Sequence, residues 1–340
     1  MKPIVFTVVV IALFLLALRA VLAETLPPST TIVPGNPAIL YVGRWDMSDP
    51  SIYHSYWGGA YLRVNFTGTS VSIKLAQGTS LVVSIDDETP YGVDANAGTT
   101  QLNVRPLNAG PHTLLVGSSG QNYEVLFQGL SFDQDAVVTS PAPKPIIEFI
   151  GDSITTFGGP DTSSIVNYAW NTAEALSCDH AQISFSGVAL TSGYGCLPDK
   201  TGQDVQYLRL KNFNHLDSTA PWNFRYKPSI VVINLGQNDQ CGAEPPATFS
   251  ASLQRFIAKI RTQFPPAQIV VLRPFSGAFA SAEQSTVATL TSEGDKKLLY
   301  VDTTGWLQPG DFRDGIHPNA DGHLKVLSRL APILRPKLPQ

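Results

Sequence analysis

Four separate blocks of this sequence carry residue types that together could perform acyl transfer. They supply a serine hydroxyl, backbone N–H groups, a carboxamide, an imidazole and a carboxylate. The blocks are Gly151-Asp152-Ser153, Ser186-Gly187, Gly236-Gln237-Asn238-Asp239 and Asp314-Gly315-Ile316-His317-Pro318. A serine hydroxyl is a poor nucleophile at neutral pH, so it needs a base to take its proton. The blocks therefore indicate attack by a serine on a carbonyl carbon.

The last block predicts how the base is oriented. Asp314 and His317 are three residues apart, so one carboxylate can reach the imidazole Nδ1–H across a turn and fix its tautomer. Pro318 suits the first turn of a helix, which places His317 at the helix entrance. Most Asp-x-x-His pairs are ordinary turns, so this pair is informative only together with the other blocks. We predict Ser153 as nucleophile, His317 as base and Asp314 as the acid of a triad.

An acyl-transfer intermediate also needs hydrogen-bond donors for its oxyanion. The candidates are the backbone N–H groups of Ser153 and Gly187 and the side-chain amide of Asn238. One such donor is typically worth about 3–4 kcal/mol in the transition state. Gly187 has no side chain to block a substrate oxygen from its N–H. Asp152 is expected to cap its own turn, and Asp239 to orient the turn that carries Asn238.

The elements that must position these blocks follow from the hydrophobic pattern after residue 145. Apolar strands are predicted at Ile146–Ile150, Ala181–Phe185, Ile230–Leu235, Ile269–Leu272 and Leu298–Val301. Helices are predicted at Val166–Leu176, Phe249–Phe264 and Ala320–Leu334. Alternation of apolar strands with helices indicates an α/β fold whose parallel sheet is covered on both faces. Ligands bind beyond the carboxyl ends of such strands, where the first three blocks stand.

The first part of the chain has a different pattern. Short alternating, β-branched segments are separated by Gly, Asn, Asp and Pro, which is typical of an all-β sandwich. They are Tyr61–Phe66, Val71–Leu75, Leu81–Ile85, His112–Val116 and Tyr123–Phe127. Three prolines in the seven residues Thr139–Pro145 keep the chain extended and indicate a linker.

The four blocks, in their order and spacing, resemble those of the SGNH (GDSL-type) hydrolase superfamily. The resemblance covers Ile146 to about Leu334, and it maps the superfamily's block residues onto Ser153, Gly187, Asn238 and His317. It implies a three-layer α/β/α fold. Four blocks in register are far more specific than any one of them.

A narrower resemblance is to carbohydrate esterase family two, in which a jelly-roll-like β-sandwich precedes the SGNH domain. YVGRWD near Tyr41 and YWGGAYLRVNFTGTS near Tyr56 are similar to the front-domain motifs of that family. The resemblance implies removal of O-acetyl groups from plant cell-wall polysaccharides such as xylan or glucomannan, with no cofactor. Some members work with a Ser–His pair alone, whereas Asp314 gives this chain a full triad. The predicted domains are a signal peptide (1–23), the sandwich (35–138), the linker (139–145) and the SGNH domain (146–340).

The chain start and the composition bear on location and partners. Lys2, the apolar run Pro3–Leu18 and the small-residue site Val21–Ala23 fit a cleaved secretion signal. The alternative is an uncleaved anchor, because Arg19 lies late in the run. We expect a secreted, extracellular monomer with no membrane contact after cleavage. A net charge of −4 without a basic stripe argues against nucleic-acid binding.

Four further expectations concern the cysteines, a glycosylation sequon and a tryptophan. Cys196 and Cys241 each follow a catalytic block and are expected to form a disulfide, with Cys178 buried and free, although spacing alone does not fix connectivity. Asn65 opens the only N-x-[ST] sequon, a candidate surface glycan site. Trp222 is a candidate wall for the substrate.

The remaining histidines, His54, His112, His180, His215 and His323, have no metal-ligand spacing and are expected to be surface or packing residues. No metal site is therefore predicted.

Two alternatives to the polysaccharide esterase remain open on the sequence. One is an SGNH lipase or acetylhydrolase acting on lipids or small esters, although no amphipathic lid segment is visible. The other is a carbohydrate-binding protein whose hydrolase domain is inactive. The complete set of Ser153, His317 and Asp314 argues against the second.

Overall fold

The computed structural model describes residues 29–158 and 165–339. The predicted signal peptide, residues 1–23, lies outside the described residues. Two antiparallel six-stranded sheets form an N-terminal sandwich, and a five-stranded parallel sheet follows.

The sandwich strands are β1 (Ser29–Ile32), β2 (Leu40–Val42), β3 (Asp46–Asp49), β4 (Ile52–Ser55), β5 (Tyr61–Thr67), β6 (Val71–Leu75), β7 (Thr79–Ile85), β8 (Tyr91–Ala95), β9 (Gly98–Gln101), β10 (Pro111–Ser118), β11 (Val125–Asp133) and β12 (Val138–Thr139). One sheet has the order β3-β4-β11-β6-β9, with β1 beside β11. The other has the order β12-β5-β10-β7-β8, with β2 beside β5.

Alternation of apolar and polar residues explains how the sandwich closes. In β6, Val71, Ile73 and Leu75 are buried while Ser72 and Lys74 point away from the core, because successive side chains of a strand face opposite sides. The buried residues of the two sheets form one apolar core.

The second domain contains β13 (Ile146–Gly151), β14 (Asp179–Ser184), β15 (Ile230–Asn234), β16 (Gln268–Leu272) and β17 (Leu298–Val301). Its helices are α1 (Ser153–Thr156), α2 (Tyr168–Ala175), α3 (Gln203–Gln206), α4 (Gln237–Cys241), α5 (Pro246–Gln263), α6 (Ala280–Ser292) and α7 (Ala320–Leu334). Short 3₁₀ turns lie at Phe213–His215, Pro309–Asp311 and Arg335–Lys337.

The sheet order is β14-β13-β15-β16-β17, and every pair is parallel. The strand order therefore reverses at β13, the first strand of this domain. In open α/β sheets the crevice at such a reversal is where ligands bind. Only Asp152 separates Ser153 from the end of β13, so the topology places the predicted nucleophile at this crevice.

Helices cover both faces of the parallel sheet. Apolar residues of α2 and α7 pack on one face, in a core with Phe149 and Val232. Apolar residues of α5 and α6 pack on the other, in a core with Ile150 and Ile233. The predicted three-layer α/β/α fold behind a β-sandwich is confirmed.

Several predicted boundaries match the structure and others do not. β17 and α7 have the predicted bounds, whereas helix α6 was missed because its Ala-, Ser- and Thr-rich sequence lacks a strong apolar stripe. The short strand β1, which precedes the predicted sandwich start at residue 35, pairs with β11. The segment predicted at Tyr123–Phe127 starts at Val125 and continues to Asp133.

The two domains share a buried interface. The Arg44 guanidinium of the sandwich lies over the rings of Trp57, Tyr207, Trp222 and Phe224, and its Nη1 donates to the Arg209 carbonyl at 2.7 Å. Elsewhere in this interface, Arg63 and Tyr61 of β5 bond the Asp179 carboxylate, at 2.9 and 3.0 Å.

Candidate active site

Ser153 lies where β13 ends and a short helix begins. The preceding Asp152 is the N-cap of α1, and its Oδ1 accepts a hydrogen bond from the Ile154 N–H at 2.9 Å. This agrees with the capping role expected for Asp152. Thr156 Oγ1 also donates to the Asp152 carbonyl. The turn is thus held on both sides, and Ser153 is 7% exposed.

A continuous hydrogen-bonded chain joins the three predicted triad residues. His317 Nε2 lies 2.8 Å from Ser153 Oγ, and His317 Nδ1 lies 2.8 Å from Asp314 Oδ2. This is the arrangement in which imidazole takes the serine proton while the carboxylate holds the ring. The predicted serine, histidine and aspartate are therefore brought together, although 164 residues separate Ser153 from His317.

The Asp314 carboxylate is fixed mainly by its own turn. Asp314 Oδ1 accepts the backbone N–H of Ile316 at 3.1 Å and that of His317 at 2.9 Å. Burial raises the pKa of Asp314, but the hydrogen bonds from the His317 N–H and ring and from the Ile316 N–H outweigh it and hold the pKa well below its usual range. The acid remains ionised at neutral pH and can stabilise an imidazolium.

The His317 backbone is anchored from two directions. Its carbonyl accepts the Arg313 N–H at 2.8 Å, and an isolated bridge pairs Phe312 with Pro318. Asn319 caps the following helix, with its side chain accepting from Gly322. His317 thus stands two residues before the N-cap, near the helix entrance as predicted. Pro318 was expected in the first turn of the helix, but it lies before the N-cap because it pairs with Phe312.

The three predicted oxyanion donors follow neighbouring strands β13, β14 and β15. Gly187 has φ +80°, a conformation that disfavours other residues, and an added Cβ would come within 2.7 Å of Leu197. The Asn238 amide nitrogen donates to Asp152 Oδ2 at 3.0 Å. An amide nitrogen has two hydrogens, so this bond orients Asn238 and leaves a second donor.

Asp239 joins the second and third blocks. Its carboxylate accepts the N–H groups of Leu190 and Thr191 at 2.9 and 3.0 Å. The expected role was to orient its own turn, and the structure adds that it holds the loop after Gly187.

The Asp152 carboxyl group is also affected by Asp239. Burial raises the pKa of Asp152 to about 7, and the nearby Asp239 charge contributes to this rise, while the hydrogen bonds of Asp152 oppose it.

A disulfide links the loops that follow these two blocks. Cys196 and Cys241 are bonded, and Cys178 is free and buried, as the sequence analysis expected. In the described ranges, 29–158 and 165–339, no group of three or more His, Cys, Asp or Glu residues could hold a metal ion.

The placement of Trp222 contradicts its predicted role as a substrate wall. Trp222 is 5% exposed and packs in the core with Phe224 and Tyr226, beneath the Arg44 guanidinium. A buried indole cannot stack on a substrate, so this prediction is wrong. The irregular segment around it is polar in sequence but lies against the other domain, which composition alone does not reveal.

Asn65 lies in the middle of β5, paired with β10 on one side and β12 on the other. Its side-chain oxygen is buried. Sequon glycans attach on surface loops, so this placement disfavours the predicted glycan.

The other histidines occupy structural positions. His54 and His215 both bond the Glu124 carboxylate, and His112 bonds Asp86 at 2.6 Å. His323 accepts the Tyr168 N–H at 3.0 Å, and burial lowers its pKa to about 4. His180 is buried against Phe149 and Trp170, and burial lowers its pKa to about 3. These positions agree with the expectation of surface or packing residues.

The fold and the four blocks together define an SGNH-type hydrolase domain behind a β-sandwich. The model of the GDSL-like Lipase/Acylhydrolase family matches residues 149–325, and the Carbohydrate esterase 2 N-terminal model matches residues 41–142. The chain belongs to the GDSL-like lipase/acylhydrolase family, with a carbohydrate esterase 2 N-terminal domain in front.

Two curated relatives are similar to this chain. "Cellulase/esterase CelE" from Acetivibrio thermocellus is 31% identical over 332 residues, covering 89% of this chain and 40% of that protein. "Acetylxylan esterase / glucomannan deacetylase" from Cellvibrio japonicus is 26% identical over 216 residues, covering 56% of this chain and 57% of that protein. The chain thus spans less than two thirds of either relative.

Among solved structures, a family two carbohydrate esterase from Clostridium thermocellum in complex with cellohexaose is similar, with a TM-score of 0.76 and 28% identity. The match covers 88% of this chain and 98% of that one. Both domains are therefore shared with this esterase. In the described part of our chain, no helix is long and apolar enough to span a membrane.

Proposed function

We propose that the protein is a secreted, monomeric serine esterase that removes O-acetyl groups from plant cell-wall polysaccharide, with xylan or glucomannan as the substrate. The observation that carries this proposal is the hydrogen-bonded chain from Asp314 through His317 to Ser153. The names of the relatives, an acetylxylan esterase and glucomannan deacetylase among them, support the substrate class. The predicted signal at residues 1–23 supports secretion.

The first half-reaction transfers acetyl to the enzyme. Ser153 Oγ attacks the acetyl carbonyl while its proton passes to His317 Nε2, and the carbonyl oxygen becomes an oxyanion. The backbone N–H groups of Ser153 and Gly187 and the Asn238 amide are the proposed donors to that oxyanion. When the intermediate collapses, the bond to the sugar oxygen breaks, and that oxygen takes the proton from Nε2.

The second half-reaction releases acetate. Water gives a proton to His317 Nε2 and attacks the acetyl carbonyl, so that a second tetrahedral intermediate forms. Its collapse breaks the bond to Ser153 Oγ, which recovers a proton from the imidazolium. The Asp314 carboxylate stabilises the imidazolium in both halves without taking the proton.

Kinetics with p-nitrophenyl acetate test the assignment. Ser153→Ala and His317→Ala should each lower kcat by orders of magnitude with an unchanged melting temperature, because triad members act as one unit. Near-wild-type hydrolysis by either variant would contradict the triad.

Acetate release from acetylated xylan, glucomannan and pectin then tests the substrate class. We expect release from xylan or glucomannan. A wild-type enzyme that cleaves only long-chain or lipid esters would favour the lipase alternative, and a folded protein that binds these glycans without hydrolysing any ester would favour a binding protein.

A further inference from the structure

One side chain of the sandwich contacts the second block of the hydrolase domain directly. Gln121 Oε1 accepts the backbone N–H of Ser186 at 2.8 Å, across 65 residues of sequence. Ser186 immediately precedes Gly187, whose N–H is a proposed oxyanion donor. The contact joins the two domains at the edge where the parallel strands end.

The loop that carries Gln121 is itself held firmly. Ser118 Oγ, buried, contacts the Gly120 carbonyl at 2.9 Å and the Tyr123 carbonyl at 2.6 Å. Gly58 packs so closely on the loop backbone that an added Cβ would lie 2.7 Å from the Gln121 nitrogen. From the hydrolase side, the Asn212 amide donates to the Gln121 carbonyl at 3.3 Å. A fixed backbone lets the Gln121 side chain act as a fixed acceptor.

The segment that Gln121 contacts is a tight turn. The Val188 N–H donates to the Phe185 carbonyl at 3.4 Å, so Ser186 and Gly187 are the two central residues. The positive φ of Gly187 matches the second central position of a type II turn. Type I and type II turns differ by rotation of the central peptide, and the N–H of that peptide belongs to Gly187. The Ser186 N–H that Gln121 binds belongs to the preceding peptide, so this bond fixes where the turn begins, and displacement of that peptide would move the Gly187 N–H with it.

We propose that Gln121 of the β-sandwich is a positioning residue for the oxyanion hole: by accepting the Ser186 N–H, it fixes the turn that aims the Gly187 N–H. This inference rests on the proposed function, since it assumes that Gly187 serves an oxyanion. It assigns the sandwich a part in the ester chemistry that does not depend on sugar binding. Gln121 touches neither the substrate nor the reacting atoms.

The test compares variants of two adjacent amides. Gln121→Met keeps the side-chain volume but has no strong acceptor, and Gln121→Ala removes both. Asn122→Ala is the matched control, because Asn122 also reaches across the interface, to Asn214 at 3.4 Å, without contacting the second block. All are made in the full chain and assayed on p-nitrophenyl acetate, with melting curves.

We expect both Gln121 variants to lower kcat by roughly 10- to 100-fold, the scale that misplacement of an active-site group can cause, with KM changed less than about twofold. Inhibition by a trifluoromethyl ketone, which forms an oxyanion adduct with serine, should weaken by a similar factor. Asn122→Ala should change kcat, KM and the inhibition constant of the ketone by less than about twofold, because this surface amide does not contact the turn that carries the Gly187 donor.

Three results would overturn the inference while leaving the proposed function intact. They are wild-type kcat in Gln121→Met, equal effects of the Gln121 and Asn122 variants, and a loss confined to KM. If the Gln121 variants unfold, hydrogen exchange in the wild type decides: Ser186 N–H should be strongly protected, and rapid exchange would contradict the contact. Failure of the proposed function looks different, since the wild type would then show no Ser153-dependent hydrolysis.

Discussion

At the scale of single residues, the site depends on a few side chains that each make two contacts. Asp314 binds both the His317 ring and its backbone N–H. Asp152 likewise caps the turn of Ser153 with one oxygen and orients the Asn238 amide with the other. The nucleophile and the third block are therefore coupled through one carboxylate, which a comparison of motifs does not show.

Replacing Asn238 tests the proposed oxyanion donor. Asn238→Ala should lower kcat by roughly 10²- to 10³-fold with little change in KM, because the donor helps the transition state more than the ground state. The measurement pairs kinetics on an acetyl ester with a melting curve. A large fall in melting temperature with kcat nearly preserved would mean that the amide serves only to hold the turn.

At the scale of elements, the loops after β14 and β15 are joined three times. The disulfide links Cys196 to Cys241, and the Asp239 carboxylate binds two N–H groups of the first loop. Glu244, just after α4, is buried beside Asp239. When two carboxyl groups are buried side by side, the state in which one of them keeps its proton is favoured over the state in which both are ionised, because like charges repel.

The Glu244 carboxyl group should make stability depend on pH. Burial raises its pKa above the ordinary 4.5, and the neighbouring Asp239 raises it further. Because the folded-state pKa is raised, the stability that the protonated group contributes is fully present below pH 4.5 and is lost as pH rises through the folded-state pKa. Glu244→Gln should therefore gain in melting temperature relative to the wild type as pH rises from 4.5 towards alkaline values.

The matched control is Glu293→Gln, which removes an exposed carboxyl group at the end of α6, away from Asp239. A melting-temperature difference for Glu244→Gln that is constant from pH 4.5 upward would contradict the raised pKa.

At the scale of the whole molecule, the sandwich and the hydrolase domain share a desolvated core. Arg44 is fully buried among aromatic rings drawn from both domains. Burial raises the pKa of Glu148, and the Arg44 charge opposes that rise. Tyr207 also donates to the Glu148 carboxylate at 2.7 Å. A guanidinium of one domain that is buried among aromatic rings of both domains favours unfolding of the two domains as one unit.

Arg44→Ala should destabilise both domains together. Leaving the Arg209 carbonyl without its buried donor typically costs about 1–3 kcal/mol, and the guanidinium's lost stacking on the aromatic rings adds to that cost. Differential scanning calorimetry should show one transition in the wild type and one, at lower temperature, in the variant. Arg225→Ala is the control, since Arg225 contacts Met47 across the same boundary but is exposed, and its melting temperature should barely change. Two separate transitions in the wild type would contradict the shared core.

The sequence by itself determined the fold class and the reacting residues, and tertiary structure decided what surrounds them. Strand and helix periodicity is local, and parallel strands end at one edge, so Ser153, Gly187 and Asn238 could be placed together without coordinates. Asp314 and His317 are neighbours in the chain, so their bond was also predictable. The Gln121–Ser186 contact, the burial of Trp222 and the Arg44 cluster were not, because each depends on how two domains pack. The local sequence pattern of a polar segment does not predict whether another domain will pack against it.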